Sequence, residues 1–178
     1  MAMRMTRTNP LNGRQRGATL VVGLIFLAML SLMGVAAYMV ANQEERMAGN
    51  TRDRIRAFEA AEASLRDCEA LLGGFGTLPN FNGTNGMYAA PAFGEPQVYE
   101  TIDWRNDSVR VIPTAIPDVA LQPRCIIERV GEIEVRRLSD ARSGPLEVTI
   151  ETVFRITAMG YGTNPSTTVD LQTMFRRP

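Results

Sequence analysis

The most restrictive feature of this sequence is a long apolar stretch near its N-terminus. Residues 18–41 form 24 consecutive positions without a charged side chain. As a helix that rises ~1.5 Å per residue they would extend roughly 36 Å, which is enough to cross the hydrocarbon core of a bilayer. A buried helix of a soluble domain rarely lacks a polar face over such a length, and the apolar part of a signal peptide is shorter. The stretch therefore predicts a membrane-spanning helix.

The charges on either side of this stretch predict its orientation. Four arginines precede it, and the first charges behind it are Glu44 and Glu45. The bias of basic residues toward the cytoplasmic side then places the N-terminus inside and the chain after about residue 42 outside. A bacterial exterior compartment permits disulfides, and the chain has two cysteines, Cys68 and Cys125. Because their spacing matches no metal-binding pattern, we expect a disulfide between them.

Composition removes several classes of function. The chain carries 19 basic and 19 acidic side chains, so no net charge points to a nucleic-acid partner. It has no histidine, which removes the commonest general base and a favoured metal ligand. Glu128, Glu132 and Glu134 form the one carboxylate cluster, and the last two alternate with Ile133 as the wet face of a strand would. We therefore predict that the protein is not an enzyme and has no cofactor, metal site or nucleic-acid partner.

A helical pattern continues beyond the apolar stretch. Apolar residues recur at steps of three and four, and no proline occurs between residues 11 and 78. The pattern predicts one helix over about residues 18–72, ended by Gly73 and Gly74. Its outer half is amphipathic and needs a partner for its apolar stripe. That stripe comprises Met47, Thr51, Ile55, Phe58, Ala61, Leu65, Cys68 and Leu72.

The C-terminal third alternates apolar and polar residues. Residues 146–157 alternate with a period of two, which predicts a strand with one face on a core and one in water. A run over 125–135 precedes it, with the turn sequence 139–145 between the two, and a run over 169–175 follows it. Glycine, proline and asparagine are frequent in residues 73–123, where no regular structure is predicted. The predicted class is α+β: one long helix packed on an antiparallel sheet of three to four strands.

These features together resemble a type IV prepilin. The shared features are a basic leader that ends in Gly17, an uncharged helix that begins at Ala18, an amphipathic continuation and a small sheet. The PilX-type minor pilins are the branch that the chain is most similar to. The segments that carry this resemblance are RGATLVVGLIFLAML, EERMAGNTRDRIRAFEAAEASLR and RITAMGYGTNPSTTVDLQTMFRR.

The resemblance implies how the chain is processed and divided. In that family the prepilin peptidase cuts after the glycine, here Gly17, and methylates the new N-terminal residue, here Ala18. The leader would be residues 1–17, the transmembrane and filament-core part residues 18–43, and the periplasmic domain residues 44–178. Within that domain we expect the amphipathic helix over 44–72, a variable loop region over 73–123 and the sheet over 124–178.

One position departs from the usual pilin pattern. Most pilins carry a glutamate four residues beyond the new N-terminus, where it is thought to neutralise the ammonium of the subunit above. This chain has Val22 there. Sequence drift is one explanation, and a place at the filament tip, with no subunit above, is the other. The K-type pseudopilins of type II secretion share the absence, but a chain of 178 residues is too short for their extra domain.

The implied function is structural. The chain would be a minor pilin in a tip complex that initiates pilus assembly and supports adhesion or twitching motility. It would sit in the inner membrane before assembly and at the pilus tip afterwards. Its partners would be other minor pilins, the major pilin, a PilY-type tip adhesin and the prepilin peptidase. Candidates for helix packing are Gly23, Gly34, Phe58 and Leu65.

Two alternatives stay open on sequence alone. The first is a minor pseudopilin of type II secretion, and the second is a periplasmic binding domain held by a single-pass anchor. The second would keep Met1, because it needs no cleavage after Gly17.

Overall fold

The computed structural model describes residues 17–74, 76–105, 108–138 and 146–177. Most of the predicted leader and the predicted turn over 139–145 lie outside these residues. The chain divides into two compact units, residues 1–48 and 49–178, which are described separately below.

A single helix, α1 (Ala18–Gly73), confirms the predicted helix almost to the residue. Alanine, leucine, methionine, arginine and glutamate dominate its 56 positions, and these are the strongest helix formers. It ends where two glycines follow each other, Gly73 and Gly74, as the sequence predicts.

In the part of α1 within the first unit, no other described element packs against the apolar side chains. Its apolar side chains over 18–41 are exposed. With a mean hydropathy of 2.6 over its most apolar window, this helix is long and apolar enough to cross a membrane by length and composition. The side-chain amide of Asn42 donates to the carbonyl of Tyr38, 3.2 Å away, at the end of this stretch.

The second unit contains a five-stranded sheet. Its strands are β1 (Met87–Ala89), β2 (Arg110–Val111), β3 (Arg124–Leu138), β4 (Leu146–Tyr161) and β5 (Thr168–Arg177), with a short helix α2 (Val98–Thr101) after β1. The strand order is β1-β3-β4-β5, and β2 also pairs with β3. The antiparallel meander β3-β4-β5 is the predicted one.

The prediction of a purely antiparallel sheet of three to four strands is wrong at one edge. Strand β1 pairs with β3 in parallel. The chain reaches this edge through a turn in which Asn85 and Gly86 both have positive φ, 51° and 77°. A Cβ at Gly86 would lie 2.8 Å from the backbone nitrogen of Arg110, so only glycine fits. The turn therefore builds regular structure within a segment whose composition predicts none.

The core lies between the second half of α1 and the sheet. The ring of Phe154 stacks on Phe81 at a centroid distance of 5.4 Å, which closes the core with a residue from the loop region. Leu65 and Phe175 pack at its margin. The buried cluster comprises Cys68, Leu72, Met87, Cys125, Ile127, Phe154, Ile156 and Ala158.

Small side chains, rather than the large members of the predicted stripe, form the contact between α1 and the C-terminal end of β4. A Cβ at Gly160 of β4 would lie 2.1 Å from the carbonyl oxygen of Ala57 and 2.3 Å from the nitrogen of Ala61. The two backbones are therefore too close for any large side chain between them. The helix residues buried on this side are Ala57, Ala60, Ala61, Ser64, Cys68 and Leu72.

The predicted stripe is accordingly right in its C-terminal half, from Ala61 onward, and wrong in its N-terminal half, up to Phe58. Ala61, Cys68 and Leu72 are buried as predicted. Met47, Ile55 and Phe58 are exposed instead. For Ile55 and Phe58 the reason is the close approach at Gly160, which turns the alanine face of α1 toward the sheet.

The prediction that β4 has one face in water also needs correction. Glu151 and Thr157 of the supposed wet face are buried, whereas Val148 and Ile150 of the supposed core face are exposed. The segment around α2 covers part of the second face, since the backbone N–H of Val98 donates to Glu128 on the neighbouring strand. Both faces of the sheet are thus covered in its middle.

Candidate assembly surfaces

The predicted processing junction lies at the first turn of α1. Gly17 is exposed and directly precedes Ala18, the first helical residue. A Cβ at Gly17 would meet nothing within 4 Å. Among the described residues, the Gly17–Ala18 bond therefore lies at an exposed helix start.

The candidate residues in the apolar half of α1 contact no other described part of the chain. Val22 is half exposed, and a Cβ at Gly23 or Gly34 would meet nothing within 4 Å. An apolar surface of this length is unfavourable in water, so lipid or protein must cover it.

The disulfide between Cys68 and Cys125 confirms the predicted pairing. It joins the last turns of α1 to the second residue of β3, with the two Cα atoms 6.7 Å apart. Both cysteines are fully buried in the core cluster. The bond therefore fixes the helix on the sheet from inside.

A polar contact holds the turn between β4 and β5 on α1. The carboxylate of Asp53 accepts from the backbone N–H of Thr163, and the guanidinium of Arg56 donates to the hydroxyl of Thr163 at 3.1 Å. Hydrogen bonding from the side chain of Thr167 holds the pKa of Asp53 below its ordinary value, since it favours the charged carboxylate. A Cβ at Gly162 would lie 2.5 Å from an Asp53 oxygen, so this contact also requires glycine.

An open groove runs between α1 and the start of β5. Its apolar floor includes Ile55, Phe58 and Val169, and its volume is about 590 Å³. Asp170 also lines the groove, and partial desolvation there raises the pKa of its carboxyl above its ordinary value. Phe58, a packing candidate from the sequence, therefore faces this groove, whereas Leu65 packs against the core.

Glu128 has a role that its position in a carboxylate cluster does not predict. It is buried, accepts from the backbone N–H of Val98 at 3.0 Å and lies 3.7 Å from the guanidinium of Arg155. Arg155 also donates to Gln97 and sits 5.6 Å from the ring centre of Tyr99. These contacts anchor the loop region to the sheet. The one signal in the sequence is that Glu128 directly follows the apolar pair Ile126 and Ile127.

The other two glutamates of the cluster are exposed, as predicted. Glu132 pairs with Arg129 at 2.7 Å and Glu134 with Arg136 at 3.7 Å. Exposed pairs of this kind contribute little to stability. Within the described residues no group of three or more His, Cys, Asp or Glu side chains is arranged to hold a metal ion.

Comparisons with known proteins give two matches that together span most of the chain. The family model described as PilX N-terminal matches residues 16–66. The family model described as Type IV pilus assembly protein PilX C-term matches residues 68–177. No curated protein matches, and no solved structure matches.

Proposed function

Because the chain belongs to the PilX family of type IV pilus minor pilins, we propose that it is a subunit of a tip complex that primes pilus assembly. The observation that carries this proposal is the bare apolar half of α1 within the first of the two family matches. A pilus subunit uses such a surface in two stages: it contacts lipid before assembly and other subunits afterwards. Adhesion and twitching motility would follow from the pili that the complex starts.

The first step of the proposed mechanism is storage in the inner membrane. Residues 18–43 span the bilayer with the N-terminus in the cytoplasm, and residues 44–178 form the periplasmic domain. The buried Cys68–Cys125 bond is compatible with that compartment, which permits disulfides. Cleavage by the prepilin peptidase after Gly17, with methylation of Ala18, then prepares the helix for extraction.

The second step is packing of the extracted helix against other pilins. Van der Waals contact drives helix association in an apolar medium, and small residues allow a close approach. Gly23 and Gly34 supply such positions, since a Cβ at either one would meet no other described part of the chain within 4 Å. Val22 leaves this helix without the usual carboxylate, which suits a subunit at the filament tip, because no subunit above it supplies an ammonium to neutralise.

The proposed partners are the other minor pilins, the major pilin and a PilY-type tip adhesin. All of these contacts are matters of assembly, and we propose that the protein performs no chemistry itself. A pseudopilin role in secretion and an anchored binding domain are the competing functions. Neither competing function predicts a loss of surface pili when the gene is removed.

Counting surface pili in three strains tests the proposal. The strains are the parent, a deletion of this gene, and the deletion complemented with the wild-type chain. We expect the deletion to lose most of its pili and the complemented strain to recover them. Equal pilus numbers in parent and deletion, with secretion impaired instead, would favour the pseudopilin function and contradict the proposal.

A further inference from the structure

A small cavity lies on the face of the sheet that the segment around α2 covers. Its walls come from α2, from the residues that follow α2, and from β4 and β5. The residues that line it are Tyr99, Trp104, Thr157, Asp170, Leu171 and Gln172. Its volume is about 220 Å³. Sites for small molecules usually enclose ~300–1,000 Å³, so this cavity suits a single side chain of a larger partner.

The polar groups that β5 contributes to the cavity are hydrogen-bond acceptors. Asp170 and Gln172 lie two residues apart and therefore on the same face of the strand. The side-chain amide of Gln172 donates to the hydroxyl of Thr157 at 3.0 Å, which leaves its amide oxygen available as an acceptor. The hydroxyl of Tyr99 donates to Glu100 at 3.1 Å, so this donor of the cavity wall is already used. A partner group must therefore bring donors of its own.

The carboxylate of Asp170 has no counter-charge among the described residues. It takes part in no hydrogen bond or ion pair there. Partial desolvation raises the pKa of this carboxyl, and no neighbouring charge offsets the loss of water. The guanidinium of Arg124 donates to the backbone carbonyl of Trp104 at 2.6 Å, and Arg105 lines a different cavity together with Arg124. The negative charge at this cavity is thus left for a group from outside.

The aromatic walls and the surrounding charges also favour a cation. The face of an aromatic ring attracts cations, and tryptophan does so most strongly. The guanidinium of Arg155 already lies 5.6 Å from the ring centre of Tyr99, so the chain itself makes such a contact at one wall. The segment over 87–104 carries three acidic side chains and no basic one. The cavity is therefore complementary in charge to a cationic side chain.

We propose that this cavity binds an arginine side chain of a protein partner in the pilus tip. The guanidinium would lie against the ring of Trp104 and donate to the carboxylate of Asp170 and to the amide oxygen of Gln172. Arginine suits the cavity better than lysine, because a guanidinium is planar, stacks on aromatic rings and is more weakly hydrated than an ammonium. The inference rests on the proposed function for the identity of the assembly, and on the cavity alone for the chemistry of the bound group.

The fluorescence of Trp104 gives a direct test, because it is the one tryptophan of the chain. The full chain in a non-ionic detergent is titrated at constant ionic strength with N-acetylarginine methylamide and with the neutral N-acetylcitrulline methylamide. We expect a saturable change with the arginine probe alone. Asp170→Asn should bind this probe at least ~10-fold more weakly, since it loses a charge-assisted hydrogen bond. The control Asp103→Asn removes a carboxylate that does not line the cavity and should bind as the wild type does.

Three results of this titration would overturn the proposal. The first is the absence of a saturable change with the arginine probe. The second is an equal response to the citrulline probe, which would show that the cavity does not select a cation. The third is an equal response to ethanolamine, which would assign the cavity to an ammonium group such as that of a lipid headgroup.

Pilus counts test the same site in the assembled structure. Because the folded state raises the pKa of Asp170, it disfavours the charged carboxylate, and Asp170→Asn should melt in detergent at pH 7 no lower than the wild type. In the complemented deletion strain we expect this variant to fall toward the pilus number of the deletion, and Asp103→Asn to keep the parental number.

The outcomes of the pilus counts separate the inference from the proposed function. Parental pilus numbers for Asp170→Asn would overturn the inference. Fewer pili together with a lower melting temperature would assign Asp170 to folding and overturn it as well. Equal numbers in parent and deletion would overturn the proposed function alone, since the titration measures the cavity without the pilus.

Discussion

At the scale of single residues, the fold depends on positions where a side chain would not fit. Gly160 of β4 touches the backbone of α1, and no sequence pattern reveals this contact because glycine in a strand has several explanations. The sequence predicts the C-terminal members of the apolar stripe correctly, but it places Ile55 and Phe58 on the sheet where Ala57, Ala60 and Ser64 lie instead. The side of a helix that packs depends on how close its neighbour comes, and that distance is set by a glycine more than 90 residues away.

The contact at Gly160 can be tested by adding one methyl group. Gly160→Ala puts a Cβ within 2.3 Å of two backbone atoms of α1, which cannot rotate away. We expect a loss of roughly 3 kcal/mol in the free energy of unfolding, at the upper end of overpacking costs. The matched control is Gly131→Ala in β3, where a Cβ meets nothing within 4 Å. Chemical denaturation in detergent measures both, and equal stability of the two variants would contradict the close approach.

The contact between Asp53 and Thr163 predicts a dependence of stability on pH. Because the folded state lowers the pKa of Asp53 below the ordinary value of 3.8, the charged form favours folding. The contribution is present above pH 3.8 and is lost as the pH falls through the lower, folded-state pKa. Asp53→Asn should lower the melting temperature at pH 7 and lose less stability than the wild type on acidification.

Melting curves of both proteins at several pH values between neutral and strongly acidic check this prediction. Asp103→Asn is a control, because among the described residues Asp103 accepts only from the nearby backbone N–H of Arg105. A wild type and an Asp53→Asn variant with parallel pH profiles would show that the carboxylate contributes no charge-dependent stability.

At the scale of elements, α1 and the meander β3-β4-β5 are predictable, because each keeps a regular apolar pattern over many residues. The loop region is not, because its order comes from contacts with distant residues. Strand β1 depends on the turn at Gly86, and α2 is held by the buried carboxylate of Glu128. Such contacts leave no periodic signal in the sequence, since each one joins a single residue of the loop region to a single distant residue.

The disulfide is the covalent link between these elements. Replacing Cys68 and Cys125 together by alanine removes a bond between residues 57 apart, which in the chain-entropy model costs about 4 kcal/mol. We expect a corresponding loss of unfolding free energy, measured by denaturation in detergent under non-reducing conditions. Reduction of the wild type should lower its stability in the same way. A double variant as stable as the oxidised wild type would show that packing alone fixes α1 on the sheet.

At the scale of the whole molecule, the sequence predicts the class of protein well and its contacts poorly. A bare apolar helix half and a disulfide-linked domain are both visible in the sequence, because length and cysteine count suffice to infer them. The groove at Phe58 is not visible in the sequence, because it arises from how the middle of α1 and the start of β5 lie side by side.

The most direct test of this account is the mass and N-terminal residue of the protein from membranes of cells with and without prepilin peptidase. We predict a chain that begins at a methylated Ala18 when the peptidase is present and keeps residues 1–17 when it is absent. Non-reducing conditions should show Cys68 and Cys125 oxidised in the processed chain. A protein that retains Met1 in both strains, or begins elsewhere than Ala18, would contradict the pilin account and leave an anchored periplasmic domain.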